Sequence, residues 1–228
     1  MKISEKTINV LKNFSTINPS ILIRPGNTLA TLSPQKSIVA KATIDEEFPK
    51  QFAIYELAKF LGILSLFENP EFEFGESQVT IKQDKQAVSY TYADPIMIVS
   101  PPEKEIKFPN PDYTFNLSAA DLSKTLRAVN VMQLPEVAIQ GDGKQVFLKG
   151  TNSKNSTSDA FSILVGDSDK KFKMVLRVEN MKMINQDYVV DVAFSGITRF
   201  TAQNVVYHIA IESNVSSAGW QYQQKMPF

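Results

Sequence analysis

A proline-rich segment near the middle of the chain constrains the fold more than any other sequence feature. Residues 100–111 read Ser-Pro-Pro-Glu-Lys-Glu-Ile-Lys-Phe-Pro-Asn-Pro, so four prolines fall within twelve positions. Proline lacks the backbone N–H that a helix interior or a central strand requires, and the segment therefore predicts an extended connector. The 228 residues then divide into two domains, 1–100 and 112–228, joined by a connector at 101–111.

The first half of the chain alternates helical and strand-like patterns. Apolar residues recur at helical spacing behind Ser4, which is suited to cap a helix over 4–17. The pattern then predicts strands at 21–23 and 28–32 around a turn at 25–27, a second helix over 55–66, and strands at 71–74 and 78–82.

The second half repeats this order of elements. Leu122, Leu126 and Val129 mark a helix over 118–131, and Leu126-Arg127 corresponds to Leu11-Lys12 in the first half. The pattern continues with a hairpin of 137–139 and 146–148 around a turn at 141–143, a helical stretch over 178–183, and strands at 188–194 and 205–212. The sequence therefore predicts an α+β fold of two similar domains, each with two helices packed on antiparallel sheet.

Residue types that carry catalysis are scarce in this chain. It has no cysteine and one histidine, His208, which lies in an apolar strand-like run. Metal-ligand spacings and phosphate-binding glycine loops are absent from the sequence. The acidic triplet 45–47 beside Pro49 is typical of a solvated turn. We therefore expect a non-enzymatic protein without a cofactor or metal, although an α+β enzyme with a dispersed site stays open.

Charge and hydropathy limit the partners of the chain. There are 24 basic and 24 acidic residues, so no whole-molecule field draws the protein to nucleic acid or to a membrane. The sequence shows neither a long apolar run nor a secretory pattern, which predicts a soluble cytoplasmic protein without a membrane partner. Any affinity for DNA must come from a local patch.

The helical segments share a pattern of charge. Each begins with an acid (Glu5, Glu56, Asp121 and Glu179), which suits the positive end of the helix dipole. Basic residues follow: Lys6, Lys12, Lys59, Lys124, Arg127 and Lys182, with asparagines at 9, 13, 130 and 180 between them. The pattern is compatible with the solvated faces of ordinary amphipathic helices, and also with a shared surface that touches phosphates.

Several short sequence motifs along the chain carry a resemblance to a known family. They are Leu11-Lys12-Asn13-Phe14 with Thr16-Ile17-Asn18, Phe60-Leu61-Gly62-Ile63-Leu64-Ser65-Leu66, Ala93-Asp94-Pro95, Asp121-Leu122 with Leu126-Arg127, and Asn180-Met181-Lys182-Met183. At these residues the sequence closely resembles the DNA polymerase sliding clamps, or processivity factors, of T-even-type bacteriophages. The resemblance runs from residue 1 to about 212, and the block after Lys59 is its most specific part.

The resemblance implies a DNA clamp fold and a head-to-tail homotrimeric ring around duplex DNA. It implies closure by strand pairing, with twelve helices lining the hole, and sequence-independent contact with the DNA. It also implies loading by an ATP-driven clamp loader, tethering of the replicative DNA polymerase through a short C-terminal peptide, and, in some relatives, a role in late viral transcription. The protein would work in the cytoplasm of the host cell.

Two sets of residues follow as candidate sites. The basic residues expected to face the DNA are Lys2, Lys6, Lys12, Lys59, Lys124, Arg127 and Lys182. The apolar run before the connector, expected to capture the polymerase peptide, is Ile96, Met97, Ile98 and Val99. A buried strand crossing between the domains is an equally good interpretation of that run.

A tail at 213–228 extends beyond the usual end of the family and holds Trp220, Tyr222 and Phe228. Its last five residues, Gln-Lys-Met-Pro-Phe, loosely resemble the peptides that clamps bind, and a frayed terminus is the other interpretation. The main functional alternative is a non-enzymatic DNA-binding module that does not encircle DNA. That alternative predicts aromatic stacking platforms in a basic groove, whereas Phe14, Phe60 and Phe67 occupy core-like positions.

Overall fold

The computed structural model describes residues 1–104, 106–155 and 157–218. They divide into two compact units. Unit 1 comprises Met1–Glu105 with Gln203–Val206, and unit 2 comprises Ile106–Ala202 with Tyr207–Phe228. Within the part of the chain that is described, no helix is both long and apolar enough to span a bilayer.

Unit 1 combines two helices with short antiparallel strands. Its elements are α1 (Glu5–Ile17), β1 (Ile21–Ile23), β2 (Gly26–Leu32), β3 (Ile38–Phe48), β4 (Phe52–Ile54), α2 (Leu57–Leu64), β5 (Glu71–Phe74), β6 (Gln78–Gln83) and β7 (Gln86–Thr91), then a 3-10 turn at Pro95–Met97. Strand β1 pairs with β4, β2 pairs with β3, and β5, β6 and β7 form a three-stranded sheet. The apolar faces of both helices are buried, which places the core between helix and sheet.

Unit 2 contains one α-helix and most of the remaining strands. Its elements are β8 (Tyr113–Leu117), α3 (Ala119–Val131), β9 (Glu136–Asp142), β10 (Gln145–Thr151), β11 (Phe161–Asp167), β12 (Lys171–Arg177), a 3-10 turn at Val178–Asn180, β13 (Tyr188–Ala193), β14 (Ile197–Thr201), β15 (Val205–Ala210) and β16 (Ser217–Ala218). One antiparallel sheet has the strand order β11-β10-β9-β12-β16. Strand β13 pairs with β8 on one side and with β14 on the other.

Equivalent backbone contacts recur in the two units. Ser4 and Ser118 cap α1 and α3, because each side-chain oxygen accepts a hydrogen bond from the third residue after it. The N–H of Leu57 donates to the carbonyl of Pro19 at 2.8 Å, and the N–H of Val178 donates to the carbonyl of Pro135 at 2.9 Å. The internal repeat expected from the sequence is therefore visible in backbone hydrogen bonds.

The fourth predicted helix is wrong. The segment 178–183 forms only the 3-10 turn, after which Met181 and Met183 are buried on either side of exposed Lys182, as in an extended chain. Arg177 stands at the cap position and makes no side-chain cap hydrogen bond, so the cap adds no stability to the first turn. The described residues thus contain three α-helices and two 3-10 turns.

The prediction of a solvated turn at the acidic triplet 45–47 is also wrong, because these residues lie in strand β3. Glu46 accepts hydrogen bonds from the backbone N–H of Ser4 and from the hydroxyl of Thr7. Burial alone would raise the pKa of Glu46, but these donated hydrogen bonds outweigh it and lower the pKa from the ordinary value of 4.5. The carboxylate fixes the start of α1 to the sheet.

Part of the predicted tail belongs to the fold. Ser217 and Ala218 form β16 and pair with Lys173 and Phe172 of β12. The N–H of Glu212 also donates to the carbonyl of Val175. The stretch from 212 to 218 is therefore held against β12, and the peptide-like end at 224–228 lies outside the described residues.

Replacing Glu46 tests its role in holding α1. We expect Glu46→Gln to lower the free energy of unfolding at pH 7 by about 1 kcal/mol, a modest value because solvent screens a partly exposed carboxylate. Since the folded pKa is depressed, the stabilisation is present above pH 4.5 and is lost as the pH falls through the folded value. Urea unfolding from pH 7 to pH 3 measures this.

The matched control is Glu47→Gln, because Glu47 is the exposed neighbour on the same strand. It should leave the free energy of unfolding unchanged across that range. An equal loss in both variants would contradict a specific role for Glu46.

Candidate nucleic-acid interface

The outer faces of α1 and α3 carry exposed, mostly polar residues at helical spacing. The exposed residues are Glu5, Lys6, Asn9, Lys12 and Thr16 on α1, and Ala120, Lys124, Arg127, Asn130 and Val131 on α3. The opposite faces are buried, with Phe14 of α1 and Val129 of α3 at matching positions. Lys12 and Arg127 each stand two residues before this buried residue, so the repeat places a cation at the same point of both helices.

The cations on these helices differ in their partners. Lys12, Lys124 and Arg127 make no ion pair with any other described residue. Lys6 lies 3.8 Å from Asp45, and Lys59 of α2 lies 3.3 Å from Glu56. All four of these paired side chains are more than half exposed, and such pairs contribute about 0–1 kcal/mol. Lys6 and Lys59 can therefore exchange their carboxylates for phosphates at little cost.

Two predicted DNA-facing lysines lie outside the helices. Lys2 is exposed next to α1 and forms an isolated antiparallel bridge with Glu71 of β5. Lys182 is exposed on the extended segment after the 3-10 turn. Asn180 is buried in that turn with 7% of its surface exposed, so it cannot touch a phosphate as its sequence position suggested.

The apolar run before the connector divides into one anchor and three exposed side chains. Ile98 is 8% exposed and packs against Leu22 and Ala53. Ile96, Met97 and Val99 are 86%, 59% and 44% exposed. The run is therefore not the buried strand that was the other interpretation, and it presents an apolar patch to solvent.

Polar contacts fix the backbone around this patch. Asp94 Oδ1 accepts from the N–H of Ile96 at 3.0 Å, which starts the 3-10 turn. The side-chain amide of Asn18 donates to the carbonyl of Val99 at 3.0 Å. The guanidinium of Arg24 reaches Ser100 Oγ and the carbonyl of Pro101 at 3.4 and 3.3 Å. The patch is thus held on unit 1, although its side chains are exposed.

His208 lies in strand β15, close to Phe108. Its ring lies 6.0 Å from that of Phe108, and Arg199 stands 4.4 Å from the same phenylalanine ring. Burial lowers the pKa of His208, and the positive charge of Arg199 lowers it further, so the imidazole is neutral at pH 7. Among residues 1–104, 106–155 and 157–218, no group of three or more His, Cys, Asp or Glu side chains could hold a metal ion.

Two open sheet edges were missed by sequence reasoning. Strand β7 ends the three-stranded sheet of unit 1, and β11 ends the five-stranded sheet of unit 2. The opposite edges are at least partly covered: Met1 exchanges backbone hydrogen bonds with Phe72 of β5, and β16 pairs with β12. Leu164 on β11 is 52% exposed. The sequence analysis predicted no strand at 161–167, so it gave no indication of this edge.

Comparisons with known proteins agree with this architecture. A family model described as DNA polymerase processivity factor matches residues 2–100, and a model of the C-terminal part of the gp45 sliding clamp matches residues 114–213. The sliding clamp of Vibrio phage KVP40 is 32% identical over 221 residues, which cover 93% of this chain and 100% of that protein. The sliding clamp of Enterobacteria phage T4 is 30% identical over 225 residues, which cover 94% of this chain and 98% of that protein.

Solved structures share the fold at much lower identity. PCNA of A. fulgidus, solved with the C-terminal region of FEN-1 bound, superimposes with a TM-score of 0.65 at 14% identity, covering 90% of this chain and 94% of that one. DNA polymerase III subunit beta of Borrelia burgdorferi gives a TM-score of 0.69 at 13% identity, covering 93% of this chain and 64% of that one. The clamp fold expected from the sequence is confirmed.

Alanine substitutions at Ile98 and Ile96 compare the contributions of the buried anchor and of the exposed patch to stability. We expect Ile98→Ala to lower the free energy of unfolding by about 2–4 kcal/mol, because it leaves a cavity against Leu22 and Ala53. Ile96→Ala shortens an isoleucine that is exposed to solvent, so it leaves no cavity. It should change the free energy of unfolding by less than about 0.5 kcal/mol. Denaturant unfolding of both variants measures the difference, and equal losses would contradict the division.

Proposed function

The chain belongs to the sliding-clamp family of DNA polymerase processivity factors, and from that premise we propose that it closes into a ring around duplex DNA and tethers the replicative polymerase there. The observation that carries the proposal is that two features occur together in this chain. Among the described residues, each unit has a sheet whose last strand, β7 or β11, is paired on one side only. Each unit also bears a cation, Lys12 or Arg127, that makes no ion pair with a described residue and stands at the same position of a capped helix.

Ring closure follows from the nature of the two edges. An exposed edge strand presents unpaired N–H and C=O groups and is a template for association. Strand β7 spans six residues and β11 spans seven, so each offers enough length for an intermolecular ladder. Because the edges differ, their union is head to tail, and such contacts form a ring when the rotation closes. We take the closed assembly to be a homotrimer.

The exposed basic residues on and beside the helices suit contact with a duplex that must slide. Lys2, Lys6, Lys12, Lys59, Lys124, Arg127 and Lys182 would face the DNA and touch phosphates only. Base-edge hydrogen bonds discriminate by about 1–3 kcal/mol and would stop the ring at particular sequences, whereas phosphate attraction is nearly uniform along the duplex. A net charge of zero agrees with attraction confined to the hole.

The exposed apolar patch suits the capture of a partner peptide. Ile96, Met97 and Val99 would bind the hydrophobic residues of a short C-terminal segment of the polymerase, with Ile98 holding the backbone beneath them. The fold relative from A. fulgidus was solved with the C-terminal region of another protein, FEN-1, bound to it, which supports the choice of a C-terminal segment as the partner. Tethering raises the local concentration of polymerase at the primer end without any catalysis by the clamp.

The remaining partners follow from the same function. A closed ring has to be opened to admit DNA, and we assign this step to an ATP-driven clamp loader. The protein would act in the cytoplasm of the infected cell, and a late transcription complex is a further user of the same ring.

Breaking one edge tests the ring. We expect wild-type protein to give a native mass three times the 25.5 kDa of the subunit, because β7 and β11 pair between subunits. Leu164→Asp buries a charge at that junction and should convert the protein to a monomer. Native mass spectrometry at micromolar concentration measures both.

Val189→Asp is the matched control, since Val189 is 43% exposed but lies on β13, which is paired on both sides. It should leave the trimer intact. A Leu164→Asp protein that trimerises like wild type would contradict closure through β11.

Charge reversal tests the helix faces. Lys12→Glu combined with Arg127→Glu should fold and trimerise, but the loading rate should fall roughly tenfold or more at low ionic strength, where repulsion by phosphates is least screened. The defect should shrink as salt rises. Product length on a primed template, with the cognate polymerase and loader, measures it across a salt series.

Lys85→Glu with Lys144→Glu is the control, because both lysines are exposed at hairpin turns away from the helices and the change in net charge is the same. This control should retain wild-type processivity. Wild-type processivity of the Lys12 and Arg127 double variant at low salt would overturn the placement of these helices.

A further inference from the structure

Unit 2 contains a cavity that the proposed function leaves unused. Its volume is about 600 Å³, and it is framed by the turn between α3 and β9, the end of β12 and the stretch after β15. The lining includes the apolar side chains Leu134, Pro135, Val178 and Val215. A cavity of this size accepts a side chain and its immediate neighbours.

A buried carboxylate lies in this cavity without a cation. Glu136 is 8% exposed, and its Oε2 accepts a hydrogen bond from the N–H of Ser153 at 2.7 Å. It makes no ion pair with any other described residue. A buried charge without a counter-charge is unfavourable, so the site favours a cationic ligand.

The nearest cation in the sheet is already engaged. Arg177 stands directly opposite Glu136 across the β9–β12 pair. Its guanidinium instead contacts Glu212 at 3.0 Å and Glu179 at 3.2 Å. Lys154 at the rim is exposed and makes no ion pair with a described residue. The lining therefore holds three carboxylates and two cations, and Glu136 keeps the uncompensated charge.

The internal repeat relates this cavity to the apolar patch of unit 1. In unit 1 the N–H of Ala93 donates to the carbonyl of Ala53, just before the exposed Ile96 and Met97. In unit 2 the N–H of Glu212 donates to the carbonyl of Val175, just before Val215. The cavity thus lies where the repeat places the counterpart of the patch, but it is lined by acids as well as by apolar groups.

We propose that this cavity is a second protein-docking site, which takes the arginine side chain of a partner peptide. The guanidinium would form a fork on the carboxylate of Glu136, a geometry that lysine cannot reproduce. The apolar stem of the arginine and the neighbouring residues of the peptide would pack on Leu134, Pro135 and Val215. The proposal does not depend on ring closure.

The test uses three capped peptides and the amide of Ser153 as reporter. The peptides are Ac-Leu-Arg-Leu-NH2, its neutral analogue with citrulline in place of arginine, and Ac-Arg-NH2. Because the Ser153 N–H donates to Glu136, its NMR signal should shift saturably with the arginine peptide. The citrulline peptide should bind roughly tenfold more weakly or worse, since it loses the charged hydrogen bonds.

Variants of the cavity complete the test. Glu136→Gln keeps an acceptor for Ser153 and should abolish the preference for arginine over citrulline, whereas Glu179→Gln, already paired with Arg177, should retain it. Equal binding of both peptides to wild-type protein overturns the proposal and needs no variant. Binding of Ac-Arg-NH2 as tight as that of the longer peptide would also overturn it, by assigning the cavity to a free small cation.

Discussion

The backbone N–H and C=O groups along the open edges of β7 and β11 are the constraint on which the proposed assembly depends. Within the described residues both strands have a neighbour on one side only, whereas the far edges of their sheets are at least partly covered by Met1–Lys2 and by β16. A sheet with one covered edge and one open edge can add a strand from another chain only at the open edge. The proposed head-to-tail pairing of the two open edges would satisfy both at once, and a monomeric DNA-binding module would leave both unpaired.

The placement of cations follows a second physical rule. The chain carries as many acids as bases, so its attraction to DNA depends on which cations remain unneutralised by neighbours. Lys12 and Arg127 have no described ion-pair partner, and each projects from a helix whose start is fixed by a serine cap. Glu46 adds a second hold on α1 from the sheet. Rigid helices keep these charges at the surface where a sliding duplex would meet them.

Strong local signals made part of the fold predictable. Serine caps and long apolar periodicity identified α1 and α3, and the glycine-containing turn at 141–143 identified the β9–β10 hairpin. Strand β3 was missed because its acidic triplet imitates a turn, although alternate residues such as Ile44 are buried. The helix expected at 178–183 failed because a short apolar run cannot distinguish a helix from a buried extended segment. Open edges, the burial of Ile98 and the isolation of Glu136 depend on tertiary neighbours, which a single sequence does not encode.

The central claim is topological: the protein stays on DNA because it surrounds it. Retention on circular and linear DNA tests this directly. Protein loaded onto a nicked circular duplex should survive a wash in about 1 M salt, where the Debye length is about 3 Å and phosphate contacts are screened. Cutting the circle once should then release it. Loss from the intact circle in that wash, or retention after the cut, would contradict a closed ring.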